Sequence, residues 1–264
     1  MPARPTVLAL AEHISGPYGG EVLSGILREV TAAGGRLVVV QTASFGERGS
    51  ASPVPRAMPL AARAVDAVVA IAPTSAAPYL ATLRDSSVPV VFTSQPCPDG
   101  VAPSVGPDNR GGVRAGLEHL LRHGHRRIAF AADLHHHDLR ERGEAYRELM
   151  AEHGLAVVEL PLADNPYGPS DAQDAVTTLL GLADRPTAVM TATDRGALAL
   201  VAGLTGAGLR VPEDVAVLGF DDIEDAAYST PSLSSVHVRF DAVGALAGQL
   251  AIAMARGETV PPGP

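Results

Sequence analysis

The run His135-His136-His137-Asp138 is the densest group of metal-ligating side-chain types in the chain. Three adjacent imidazoles cannot all turn to one ion in regular structure, and no H-E-x-x-H accompanies them, so a polar loop after a strand is the preferred reading. His123 and His125, in RHGHRR, read as the polar end of a helix, where cations offset the macrodipole. Asp221-Asp222 directly follow an apolar run, a place where ligands sit in open α/β sheets. Paired acids there could be a ligand site, a catalytic dyad or a loop cap. No second carboxylate pair or metal-ligand spacing is present, which favours binding over catalysis.

Other chemistry is absent. Gly16, Gly19 and Gly20 after the first strand do not make G-x-G-x-x-G, and neither a phosphate loop nor a G-x-S-x-G elbow occurs. The single Cys97 excludes an intramolecular disulfide and a cysteine-based zinc cluster. No cofactor, metal or enzymatic activity is expected.

These residues must be positioned by alternating elements. Apolar or β-branched runs at 7–11, 37–41, 67–71, 88–92, 127–131, 157–160, 188–191 and 215–219 read as buried strands. Between them lie helical stripes: Val22, Leu23, Ile26, Leu27 and Val30; Val113, Leu117, Leu120 and Leu121; Val243, Leu246, Ala247, Leu250 and Met254. Ser170 with Gln173 reads as a capping box opening a 170–182 helix. Asp108 and Asp241 read as N-caps, and Gly34-Gly35 and Gly154 as helix stops. Near-continuous apolar strands separated by helices give an α/β protein with parallel sheets covered on both faces. Periodicity leaves open an eight-fold β/α barrel or two doubly wound lobes.

The chain has 264 residues, 46% hydrophobic and 19% charged, with a formal net charge of −9 and no Lys. Such an acidic surface argues against docking on nucleic acid by itself. No run reaches the about 18 apolar residues of a membrane span, and the N-terminus lacks a signal-peptide pattern. A cytoplasmic location without membrane contact is expected.

Two stretches, VGPDNRGGVRAGLEHLLRHGHRRIAF at 105–130 and PTAVMTATDRGALALVAGLTGAGLRVPEDVAVLGFDDIEDAAYSTPSLSSV at 186–236, resemble the core of LacI/GalR-type transcriptional repressors. ISGPYGGEVLSGI at 14–26, VDAVVAIAP at 65–73 and VPVVFTS at 88–94 follow in that family's order. The resemblance implies two doubly wound lobes of the type I periplasmic-binding-protein-like kind. It places an N-terminal lobe at 1–106 plus 239–264 and a C-terminal lobe at 107–238, with a further crossing expected beyond the end of this chain. It implies a regulatory domain binding a small effector, a sugar or sugar derivative, in the interlobe cleft. It also implies homodimers, and operator DNA contacted only through a helix-turn-helix headpiece that this sequence does not contain. The alternative sharing this fold is a solute-binding protein of a sugar transporter.

The same resemblance assigns roles. Arg142 clamps ligand hydroxyls, since a planar guanidinium donates two parallel hydrogen bonds; Arg140 is the fallback, and Tyr146 takes the family's aromatic position. Asp221 accepts from ligand hydroxyls. Phe240 lines the pocket or simply packs, and Tyr18 and Ser15 extend from the loop after the first strand. Where many relatives carry an acid, FTSQ supplies Ser94 and Gln95; Thr193 replaces a frequent Asn, and Asp194 beside it reads as a helix cap. Asp138 and the histidines before it are placed near the inferred cleft as further polar groups.

Overall fold

The computed structural model describes residues 4–11, 14, 16–42, 64–73, 83, 86–97, 100–163 and 170–261. The chain divides into two compact units, residues 1–107 with 239–264 and residues 108–238. Each contains one five-stranded, all-parallel sheet, which removes the single-barrel alternative.

In unit 1 the sheet runs β2 (Arg36–Gln41), β1 (Thr6–Ala11), β3 (Ala67–Ile71), β4 (Val90–Thr93), β5 (Ser104–Val105). Every residue of β1 and β3 is buried, as strands covered on both faces must be. Register places Leu8, Val68 and Val90 in one row and Leu10, Ala70 and Phe92 in the next. These rows form one core with Leu83. The β1 residues between them, Val7 and Ala9, alternate to the opposite face. That side is covered by α1 (Pro17–Ala32), through Val22, Ile26 and Val30, and by α7 (Phe240–Ala255), which lies on β3 and β4.

The α1–α7 contact corrects the sequence reading. Leu246 and Leu27, placed on apolar stripes, are exposed, and the buried face of α7 includes Gly244, Ala247, Gly248 and Ala251. A Cβ at Gly244 would lie 2.0 Å from the Val22 carbonyl oxygen, and one at Gly25 would lie 2.1 Å from that of Asp241. The two backbones touch, so glycine is required on both helices. Asp241 is not the N-cap of α7; Arg239 holds that position, and Asp241 pairs with its guanidinium inside the first turn.

In unit 2 the sheet runs β10 (Ser234–His237), β9 (Ala216–Asp221), β8 (Ala188–Thr191), β6 (Ile128–Ala132), β7 (Glu159–Pro161). Numbered from its own first strand, this is the same 2-1-3-4-5 order as the sheet of unit 1, a doubly wound order with its switch point beside the first strand. One face packs under α4 (Gln173–Gly181) and α5 (Asp194–Gly206) through Ala129, Val189, Leu179 and Leu200. The other lies under α2 (Asn109–Arg122), where Gly116 leaves room for Met190 and Leu218, and α3 (His137–Glu152), where Tyr146 stacks on Phe130. A short α6 (Glu224–Tyr228) follows β9.

Local signals resolved unevenly. Asp108 caps α2, its carboxylate accepting from Gly111 N, and Gly34 and Gly154 turn the chain in left-handed conformations after α1 and α3. The Ser170–Gln173 box does not form: α4 begins at Gln173, and Asp171 accepts from the Gln173 amide in its place. Strand edges shift by at most two residues, as at 157–160, where β7 is Glu159–Pro161, and β5 and β10 fall outside the expected runs. No described helix is long and apolar enough to cross a membrane.

Candidate functional site

In unit 2 the strand ends around the switch point converge on one buried guanidinium. Arg142, in the second turn of α3, has a side chain only 3% exposed. Its Nε–H donates to Asn109 Oδ1 at 2.8 Å, and Nη1 donates to the Ala192 carbonyl at 2.6 Å and to Asp221 Oδ1 at 3.0 Å. The plane lies 3.8 Å from the centroid of the Phe220 ring, a cation–π contact in a desolvated setting. Three of its five N–H groups are thereby committed. The two on Nη2 have no acceptor among the described residues.

Asn109 orients this group. It is the first residue of α2, almost fully buried, and its amide nitrogen donates to Asp138 Oδ1 at 3.0 Å and Glu141 Oε2 at 2.7 Å. With a donor guanidinium on one side and two acceptor carboxylates on the other, only one orientation of the amide satisfies every partner.

Asp221 reaches Arg142 from a backbone held in the left-handed region, with φ 118° at Asp221 and 61° at Asp222. Such conformations persist where the surroundings over-determine them, and here the clamp is Asp194. Its carboxylate is fully buried and accepts from Ile223 N at 2.8 Å and Ser235 Oγ at 2.6 Å, while Ser235 Oγ accepts from Asp222 N at 3.0 Å. Gly219 makes the room: a Cβ there would lie 2.0 Å from Asp194 Oδ1. Burial pushes the Asp194 carboxyl above the usual carboxylate range, against the opposing pull of its hydrogen bonds from Ser235 and the backbone.

This reverses the reading of two neighbours. Asp194 is no helix cap; Thr193 is, its Oγ1 accepting from Gly196 N at 3.0 Å. Tyr146 lies away from this cluster, wholly buried, with its hydroxyl bonded to the backbone of Ile128 and Val158 and its pKa pushed up to about 12 by burial. Arg140 donates to the carbonyls of Leu134 and His135. The histidine run is not wholly a loop, since His136 occupies the N-cap of α3 and His137 and Asp138 begin it. Among the described residues no group of three or more metal-ligating side chains gathers.

In unit 1 the strand ends carry a smaller, uncharged group. The Tyr18 hydroxyl lies 3.1 Å from Thr93 Oγ1 and 2.9 Å from Ser94 Oγ, and Phe240 meets the Tyr18 ring edge-on at 5.0 Å. Ala72 and Ser94, just past β3 and β4, are also in left-handed conformations, with φ 39° and 55°. Ala72 N donates to Thr93 Oγ1 at 3.2 Å. Ser15 lies outside the described residues. Sequence reasoning did not single out Asn109, Phe220 or Thr93. Phe220 adjoins Asp221, but a strand aromatic reads as core, and nothing in the order Asp108-Asn109 separates a cap from a buried amide.

Residues 117–264, more than half of the chain, match the periplasmic binding protein-like domain. The transcriptional regulator CelR of Thermobifida fusca is 32% identical over 77% of this chain and 61% of its own length. The chain belongs to the LacI/GalR family. The ribose operon repressor of Escherichia coli K12 is 29% identical over 92% of the chain and 73% of the repressor. Among solved structures, a CelR–cellobiose complex superposes with a TM-score of 0.80 at 27% identity, covering 98% of this chain and 80% of that one. These LacI/GalR relatives are transcriptional regulators rather than enzymes. The LacI/GalR assignment also accounts for the repeated sheet order, since the family's fold sets two such doubly wound units in one chain.

Proposed function

We propose that this chain is the effector-sensing part of a LacI-type DNA-binding transcriptional repressor, and that its effector is a small neutral polyol, a sugar or sugar derivative. The observation that carries the reading is the Arg142–Asp221 pair. Arg142 keeps two N–H donors on Nη2, and its Nη1 donates to Oδ1 of Asp221, whose side chain is 17% exposed. Adjacent donors and acceptors of this kind suit vicinal hydroxyls, each of which both donates and accepts. The guanidinium charge is already offset by Asp221, which favours a neutral ligand over a phosphorylated one. In this reading Thr193 and Asp138 belong to the effector's surroundings, the protein works in the cytoplasm as a homodimer, and operator DNA is contacted through a headpiece like that of its relatives.

The test is a thermal-shift screen against neutral sugars (ribose and cellobiose among them), sugar phosphates and nucleosides, since a ligand binding only the folded state raises its apparent stability. A neutral sugar should raise the melting temperature of the wild type but not of Asp221→Asn, which keeps the side chain's shape. A shift of equal size in both proteins, or a response only to phosphorylated compounds, refutes the assignment.

A further inference from the structure

At its C-terminal end α2 carries two histidines one turn apart. His119 is partly buried and His123 exposed, and their ring centroids are 4.4 Å apart with planes inclined at 41°. Residues four apart share one face of a helix, so both rings project from the same side of the last turn. His123 Nδ1 lies 2.9 Å from the backbone carbonyl of His119. A carbonyl can only accept, so in the neutral ring the hydrogen sits on Nδ1 and the lone pair on Nε2. Fixing one ring nitrogen with a backbone carbonyl, so that the other is free to ligate, is how metal-bound imidazoles are oriented. The end of the helix also concentrates partial negative charge on its last carbonyls, which favours a cation.

We propose that His119 and His123 form a two-imidazole site for a borderline divalent transition-metal ion such as Cu2+, Ni2+ or Zn2+, with water completing the coordination. Imidazole pairs select these ions, whereas Mg2+ and Ca2+ require oxygen ligands. The adjacent Arg122 repels a cation, which holds the affinity below that of a closed structural site. The site is separate from the effector cluster: Asn109 opens α2 and His119 lies ten residues further on, about 15 Å along the axis. A bound ion bridges positions that meet only when the last turn is helical, so it staples the end of α2.

The competing locus is the His135-His136-His137 run, and the experiment separates the two. The full chain is titrated with Cu2+–iminodiacetate and followed by electron paramagnetic resonance, whose nitrogen couplings count bound imidazoles. NiCl2 and MgCl2 are compared by thermal shift. Two coordinated imidazoles are expected in the wild type and in the triple variant H135Q/H136Q/H137Q. Affinity should fall about tenfold or more in H119Q and in H123Q, by analogy with the loss of an orienting group around a metal. NiCl2 should stabilise the protein and MgCl2 should not. Unchanged titrations in H119Q and H123Q, or loss of binding in the triple variant, overturn the assignment.

Discussion

Gly219→Ala tests the clamp that holds the left-handed turn at Asp221. The added methyl would lie 2.0 Å from Asp194 Oδ1 and 3.0 Å from Leu233 Cδ2, inside any tolerable contact, in a site with no exposed surface into which the carboxylate can swing. Asp194 must move by more than an ångström, which breaks its bonds from Ile223 N at 2.8 Å and Ser235 Oγ at 2.6 Å. Hydrogen bonds to a charged partner contribute about 1.5–3 kcal/mol each, so the loss of both is expected to cost about 3–6 kcal/mol. Asp194→Ala removes the same two acceptors and should cost a similar amount. In Gly219→Ala/Asp194→Ala the methyl enters space the carboxylate has vacated, so the double variant should be destabilised little more than either single one. That non-additivity is the decisive quantity, since residues without shared partners add to within about 0.5 kcal/mol. The measurement is urea unfolding by far-ultraviolet circular dichroism on the four proteins of the cycle. If Gly219→Ala unfolds at the wild-type midpoint, or the double variant loses the sum of the singles, the clamp does not exist as described.

Three further outcomes follow from the same geometry. Gly244→Ala drives a methyl against the Val22 carbonyl and must part α1 from α7; overpacking of this kind costs about 1–3 kcal/mol, read as a lower unfolding midpoint. Tyr146→Phe leaves Val158 N without its hydroxyl acceptor and should cost about 1–3 kcal/mol in the same assay. Arg210 lowers the Asp214 carboxyl from its ordinary 3.8 to about 2, and a depressed folded-state pKa gives stability that is present above the ordinary value and lost as pH falls towards the folded one. Acid titrations monitored by circular dichroism should therefore show a shallower loss between about pH 4 and 2 in Asp214→Asn than in the wild type.

The α/β class and eight of the ten described strands were legible because runs such as Thr6–Ala11 and Ala67–Ile71 are apolar without interruption, as doubly covered strands require, whereas the short β5 and the polar β10 carry no such run. The number of sheets was not legible, because the choice between a barrel and two doubly wound units depends on strand order, and periodicity is local. Arg142 and Asp221 came from family resemblance rather than from spacing. Their meeting across 79 residues has no local signature. The stripe on α7 misled because hydropathy weights Leu246 and Leu250 over Gly244 and Gly248, whereas the helix packs where it has least side chain. The cap of α5 fell to Thr193 rather than Asp194 for a similar reason. Either can cap a helix, and what decided between them was a cavity made by Gly219, twenty-five residues away in sequence.

Unit 1 takes its last helix from the far side of unit 2 in the chain, and this sets an order of assembly during synthesis. Residues 108–238 are contiguous, so unit 2 has all its strands and helices once its final strand has left the ribosome. The five described strands of unit 1 are out by then, but β3 and β4, and the α1 backbone at Val22, still lack the helix that covers them. The earlier-born half is thus the later-finished one. Until Phe240–Ala255 emerges, the nascent chain presents that uncovered face to whatever attends the exit tunnel.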